Sequence, residues 1–71
     1  MNRLREIRAV KRVTQFQLRI STGIHQSKIS LIENELIEPK ENEKRKLAKS
    51  LCARVEEVFP AETVGGKNYE N

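Results

Sequence analysis

Two short helices joined by a tight turn are predicted for QFQLRISTGIHQSKISLIEN (15–34), and this stretch restricts the possible folds more than any other. Thr14, just before it, is suited to cap the first helix because its hydroxyl can accept a hydrogen bond from the following turn, and Gln17 completes a capping-box pattern. Gly23 is the residue type most able to adopt the positive φ that reverses a chain after a helix. A second apolar repeat then begins, and its inward face is formed by Ile29 and Ile32.

The outward face of the second helix is polar. It carries His25, Gln26, Ser27, Lys28, Ser30 and Leu31. Amides, hydroxyls and a lysine are the side chains that pair with base edges and phosphates of nucleic acids. A helix, a glycine turn and a second helix with such a face are typical of a helix-turn-helix.

Most of the chain resembles a known family of regulators. TQFQLRISTGIHQSKISLIEN, with RLREIRAVKR before it and the Pro39, KLAKSL and VEEVF segments after it, is similar to the DNA-binding domain of phage-repressor-like (Cro/repressor-type, XRE family) transcription regulators. The similarity runs without gaps from residue 3 to residue 59. It implies an all-α, compact five-helix bundle of the lambda-repressor-like type, with the helix-turn-helix at helices 2 and 3. Residues 1–60 are expected to form this domain, and residues 61–71 a disordered tail.

Composition narrows the protein class. The 71 residues allow one small domain, and Cys52 is the single cysteine, so no internal disulfide can form and a reducing cytoplasm is the expected location. No apolar run approaches the ~20 residues that span a bilayer, and no metal, cofactor or small-molecule site is expected. In residues 1–33, seven lysines and arginines face two glutamates, whereas residues 34–71 have a net charge of −1. This asymmetry favours a polyanion on the side of the central helix pair.

Three further helices are predicted around the central pair. They span Asn2–Lys11, about Glu41–Leu51 and about Val55–Phe59. The inward stripe of the first consists of Leu4, Ile7 and Val10. Arg3 and Glu6 on its outer face are spaced to pair. Arg8 lies beside the buried stripe, where a charge needs a partner, and the resemblance implies a structural ion pair with Glu33.

Four residues depart from the family's pattern. Arg19 replaces an alanine where the two central helices approach closely, so its side chain must extend past that contact. Glu35 replaces the glycine that usually follows helix 3, so Asn34 or Glu35 must end the helix with some backbone strain. Cys52 replaces a glycine between helices 4 and 5, and Arg54 replaces a typical Ser or Thr cap. These departures predict a stability below the average for such domains.

The predicted recognition helix covers about residues 25–34 and is expected to lie in the major groove of DNA. Both the residue types and the resemblance favour base contacts by Gln26, Ser27 and Leu31. For Leu31 the alternative is burial against another subunit or the tail, and for Gln26 a merely solvated position. Phosphate contacts are expected from Gln15, Lys28, Asn34 and Lys40. Further possible DNA contacts are Arg12, Arg19 and His25, of which His25 could instead be an exposed N-cap.

The expected function is sequence-specific binding of double-stranded DNA as a transcriptional regulator, with repression as the expected effect. Because one recognition helix reads only a few base pairs, a homodimer on a pseudo-palindromic operator is expected. Helix 5, with Leu36 and Ile37, is the candidate dimer surface. The alternative is a protein-interaction module of the same fold, such as an antitoxin or co-regulator with weak DNA binding. No nucleophile–base set, glycine-rich phosphate loop or paired carboxylates are apparent, so the chain is not expected to be an enzyme.

Overall fold

Five helices and no strand make up the part of the chain that the computed structural model describes, residues 1–60. The helices are α1 (Leu4–Val10), α2 (Gln15–Thr22), α3 (Gln26–Glu33), α4 (Glu41–Ser50) and α5 (Val55–Val58). They account for 62% of these residues, so the predicted all-α class and the number of helices are confirmed. The predicted tail, residues 61–71, lies outside the described residues. None of the described helices is both long and apolar enough to cross a membrane.

The ends of four helices differ from the prediction by one or two residues. α1 begins at Leu4 rather than Asn2, and the Asn2 side chain lies outside the helix. There its Oδ1 accepts a hydrogen bond from the Leu4 N–H (3.1 Å), and its Nδ2 donates to the carbonyl of Ile32 (2.8 Å). Asn2 therefore caps α1 from two residues away and also ties it to the end of α3. α1, α4 and α5 each stop one residue early, at Val10, Ser50 and Val58, and α3 is one residue shorter at each end than predicted.

The hydrophobic core receives side chains from all five helices. Its largest completely buried side chains are those of Leu4, Leu18, Ile29, Ile32, Leu47, Leu51 and Val58. Val13, Ala53, Val55 and Phe59 pack against this core from its edge. Val10 does not belong to it, and the prediction that it faces inward is wrong. Its side chain is 78% exposed, because α1 ends there and Val10 borders a shallow groove that also contains Cys52 and Ala53.

Left-handed backbone conformations mark each of the first four helix ends. Gly23 ends α2 with φ 77°, as the sequence predicted. The other three are not glycines: Arg12 (φ 57°), Glu35 (φ 60°) and Cys52 (φ 54°). Each costs about 1–2 kcal/mol relative to a right-handed conformation. The strain predicted after α3 is thus present and falls on Glu35, since Asn34 keeps a φ of −88°.

Candidate nucleic-acid interface

The turn between α2 and α3 is held by backbone and hydroxyl hydrogen bonds. The Gly23 N–H donates to the carbonyl of Arg19 (2.8 Å), which closes the last turn of α2. The buried Thr22 hydroxyl donates to the carbonyl of Leu18 (2.6 Å) and accepts from the Ile24 N–H (3.1 Å). Because Ile24 is itself buried in the core, the path from α2 into α3 is fixed at both ends. α2 begins with the predicted capping box of Thr14 and Gln17.

His25 caps the start of α3. Its ring Nδ1 accepts a hydrogen bond from the Ser27 N–H (3.1 Å) and lies 2.8 Å from the Ser27 hydroxyl. The sequence left open a DNA contact or an exposed N-cap for His25, and the structure supports the N-cap. With Nδ1 accepting, the neutral imidazole carries its proton on Nε2, so a donor remains available to an external ligand. The cap satisfies one of the N–H groups that the first turn of any helix leaves without a partner.

The far end of α3 is anchored through Glu33, whose side chain is completely buried. Arg8 donates to it twice, from Nε to Oε2 (2.6 Å) and from Nη2 to Oε1 (3.2 Å). Gln15 also donates to Oε1 (3.0 Å), and the Arg5 Nε lies 3.6 Å from the same oxygen. The Arg8 Nη1 donates further to the carbonyl of Val13 (3.0 Å). The expected Arg8–Glu33 pair is therefore present, and it fixes α3 against α1 and the start of α2.

The three residues predicted to contact bases all lie on the surface of α3. Gln26, Ser27 and Leu31 are exposed. Ile29 and Ile32 of the same helix are buried in the core. Since α3 is capped at one end and anchored at the other, this exposed face is presented in one orientation. The side chains on it offer one carboxamide, one hydroxyl and one apolar group to a ligand.

Three of the four residues predicted to contact phosphates already have partners within the protein, and for two of them the partner is a carboxylate. Gln15 is half-buried and donates to Glu33. Lys28 is partly buried, and its Nζ donates to Oε2 of Glu43 on α4 (2.6 Å). Lys28 is therefore not the freely available cation that the sequence suggested. The same contact holds α3 against the first turn of α4.

Glu43 has a second partner, the backbone N–H of Lys40, which donates to its Oε1 (2.8 Å). The hydrogen bond from Lys28, and then that from Lys40, hold the pKa of this carboxyl below its usual value. Lys40 itself ends in an exposed side chain directly before α4. The charge of this predicted phosphate contact is therefore available, unlike that of Lys28.

Asn34, the last of the predicted phosphate contacts, is exposed at the end of α3. Its Oδ1 accepts from Nη2 of Arg5 (3.0 Å), and its Nδ2 donates to the carbonyl of Ser30 (2.9 Å). The structure thus places Arg5, which was not among the predicted contacts, beside the exposed end of α3. The basic composition of α1 was the only sequence signal for it. Arg12 and Arg19 are exposed and form no ion pair with any residue in 1–60.

A comparison with models of known protein families gives no match for the chain, and no curated protein matches it either. Within residues 1–60, no three His, Cys, Asp or Glu side chains are grouped so that they could hold a metal ion. Chemically, the described surface around α3 offers hydrogen-bond donors and acceptors, one apolar side chain and flanking cations.

Proposed function

We propose that the chain is a sequence-specific regulator of transcription that binds double-stranded DNA through a lambda-repressor-like helix-turn-helix formed by α2 and α3. The observation that carries the proposal is the exposed face of α3, with Gln26, Ser27 and Leu31 displayed on a helix whose two ends are fixed. The ordered sequence resemblance over residues 3–59 supports the same assignment. Repression follows most simply, because a bound protein blocks access to the DNA it covers.

In this proposal α3 enters the major groove, which is wide enough to admit an α-helix. Gln26 is at the first position of α3, where side chains of such helices reach base edges. Its carboxamide can pair with N6 and N7 of an adenine, and Leu31 can pack against the methyl group of a thymine. Ser27 can donate or accept and so discriminates less between bases.

Phosphate contacts are assigned to cations whose side chains remain exposed in the structure, including Arg5, which is 63% exposed although it also contacts Asn34 and Glu33. The four exposed cations assigned to this role are Arg5, Arg12, Arg19 and Lys40. Four cations per subunit predict a slope of about −3.6 in a plot of log binding constant against log salt concentration, since each neutralised phosphate contributes about −0.9. The start of α2 adds a helix N-terminus, which favours anions.

In this proposal the protein binds as a homodimer to a pseudo-palindromic operator whose half-sites are one DNA turn apart. Its dimer surface is a groove of about 590 Å³ that lies between the chain start, the α3–α4 loop and α5. Leu36, 70% exposed, and Ile37 border this groove together with Val55 and Phe59. Exposed apolar residues beside a groove are typical of protein–protein contacts. Leu36→Asp is expected to shift the protein toward monomer in sedimentation experiments.

The test of the proposal compares Gln26→Ala with wild type on a selected operator and on its single-base variants. Gln26→Ala is expected to relax the preference at one base pair per half-site by about 1–3 kcal/mol. Asn42→Ala is the matched control, because Asn42 is an exposed carboxamide on α4, outside the recognition helix. It should leave base preference unchanged. Equal weakening on every sequence by Gln26→Ala would contradict the proposed role.

The apolar residues of the groove favour a second candidate, a protein-interaction module of the same fold with weak DNA binding. In that case the wild-type protein shows no base preference, so Gln26→Ala does not change it. Leu36→Asp would abolish binding of the protein partner, whereas substitutions on α3 would not. The DNA-binding proposal instead predicts that changes on α3 alter the operator preference.

A further inference from the structure

The contact between Lys28 and Glu43 joins the recognition helix to α4. It places the Lys28 Nζ 2.6 Å from one carboxylate oxygen, while the other oxygen accepts from the Lys40 N–H. The Glu43 side chain is only 14% exposed, and that of Lys28 is 37% exposed. Both oxygens of the carboxylate are therefore in use, and a charged partner holds it in place.

We propose that Glu43 withholds Lys28 from the DNA backbone and thereby sets the affinity and the salt dependence of the proposed DNA interface. This inference rests on the proposed function. The Glu43 carboxylate accepts hydrogen bonds from a lysine ammonium and from a backbone N–H at the start of a helix. DNA phosphates bind to donors of the same two kinds. Lys28 is thus paired with the Glu43 carboxylate within the protein and neutralises no phosphate when the protein binds DNA.

The geometry favours the internal pair over a phosphate. The hydrogen bond from Lys40 orients the Glu43 carboxylate before DNA arrives, so no side-chain freedom is lost in holding it there. Limited exposure also means that water and salt screen this pair less than they screen an exposed contact to phosphate. In addition, the negative charge of Glu43 opposes the approach of a second anion to the same ammonium.

Glu43→Gln separates the two roles of the Glu43 side chain, which are to accept from the Lys40 N–H and to hold Lys28. The amide oxygen can still accept from the Lys40 N–H, whereas the negative charge that holds Lys28 is lost. Glu57→Gln is the matched control, because Glu57 occupies the equivalent position of α5 and accepts from the Arg54 N–H (2.8 Å) without holding a lysine. Both variants raise the net charge by one and keep the capping oxygen.

The experiment measures binding of a fluorescent 30-base-pair duplex by the full chain over a series of salt concentrations. Glu43→Gln is expected to steepen the salt slope by about one unit per subunit and to raise the affinity about eightfold per subunit at 0.1 M salt, the effect of one added phosphate contact in each subunit. Glu57→Gln should change neither value beyond the small effect of net charge. Adding Lys28→Gln to Glu43→Gln should remove the whole gain.

Lys28→Gln alone gives a second measurement that does not require the Glu43 variant to fold. It should leave the wild-type slope unchanged, because Lys28 contacts no phosphate in the wild-type complex. A wild-type slope that falls by about one unit in Lys28→Gln would overturn the inference, as would equal affinities for Glu43→Gln and Glu57→Gln. If the wild type itself binds no duplex, the proposed function fails, and the inference fails with it.

Discussion

The buried carboxylate of Glu33 should dominate the stability of the domain. Glu33→Gln keeps the volume of the side chain but leaves Arg8, whose side chain is 18% exposed, without a counter-charge. Two charge-assisted hydrogen bonds from Arg8 are lost or weakened, and each contributes about 1.5–3 kcal/mol. Loss of one partner from a buried pair costs about 3–5 kcal/mol. Because Arg8 retains some contact with solvent, the lower end, about 3 kcal/mol, is expected here.

A loss of this size is large for such a small domain. About 60 residues give a total stability of roughly 3–9 kcal/mol, so Glu33→Gln removes between a third and all of it. The assay is urea unfolding followed by far-ultraviolet circular dichroism. With a slope of about 1 kcal/mol per molar urea for a small protein, the midpoint should fall by about 3 M.

The control for this prediction is Glu6→Gln. Glu6 forms a comparable pair with Arg3 (3.1 Å), and both side chains of that pair are more than half exposed. Exposed pairs contribute little to stability, so Glu6→Gln should leave the urea midpoint almost unchanged. A loss below about 1 kcal/mol for Glu33→Gln would refute the view that the buried pair anchors α3.

Three further predictions follow from the helix ends and from Glu43. Cys52→Gly should raise the free energy of unfolding by about 1 kcal/mol, because glycine adopts the left-handed φ of 54° without strain; no gain over Cys52→Ala in thermal unfolding would contradict this. His25→Ala should cost about 1 kcal/mol through loss of the cap on α3, and His25→Asn should restore most of it; equal stabilities of the two variants in urea would argue against the capping role. The lowered pKa of Glu43 means that its carboxylate stabilises the fold above the ordinary glutamate pKa of about 4.3, and that this contribution is lost as the pH falls through the lower folded-state pKa. The difference in unfolding free energy between wild type and Glu43→Gln should therefore shrink on acidification below about pH 4, and a difference independent of pH would disprove the link.

The local features of the fold were predictable from the sequence. The Thr14–Gln17 capping box, the turn at Gly23 and the apolar face of α3 depend on residues within one or two turns of each other, so sequence spacing determines them. The order and number of helices followed from the same local signals. The strained end of α3 was also predictable, since a non-glycine residue stands where a left-handed turn is needed.

Contacts between helices could not be predicted from the sequence in the same way. The Lys28–Glu43 and Arg5–Asn34 contacts join residues 15 and 29 positions apart. Such contacts depend on how the helices cross and on which rotamers the core permits, and neither is encoded in residue spacing. The Arg8–Glu33 pair was expected only through the family resemblance. The prediction that Val10 is buried was wrong for a related reason. A periodic apolar stripe does not show where its helix extends beyond the edge of the core.

The central claim, that α3 reads base sequence in duplex DNA, is tested most directly by selecting binding sites from a random duplex library with the full chain. The proposal predicts enrichment of a two-part consensus whose half-sites lie about ten base pairs, one helical turn, apart. The selected site should bind with a salt slope near −7 for the dimer, since each subunit contributes four cations. No enriched sequence, with binding that depends only on salt, would contradict the claim and would leave the basic surface as a non-specific polyanion site.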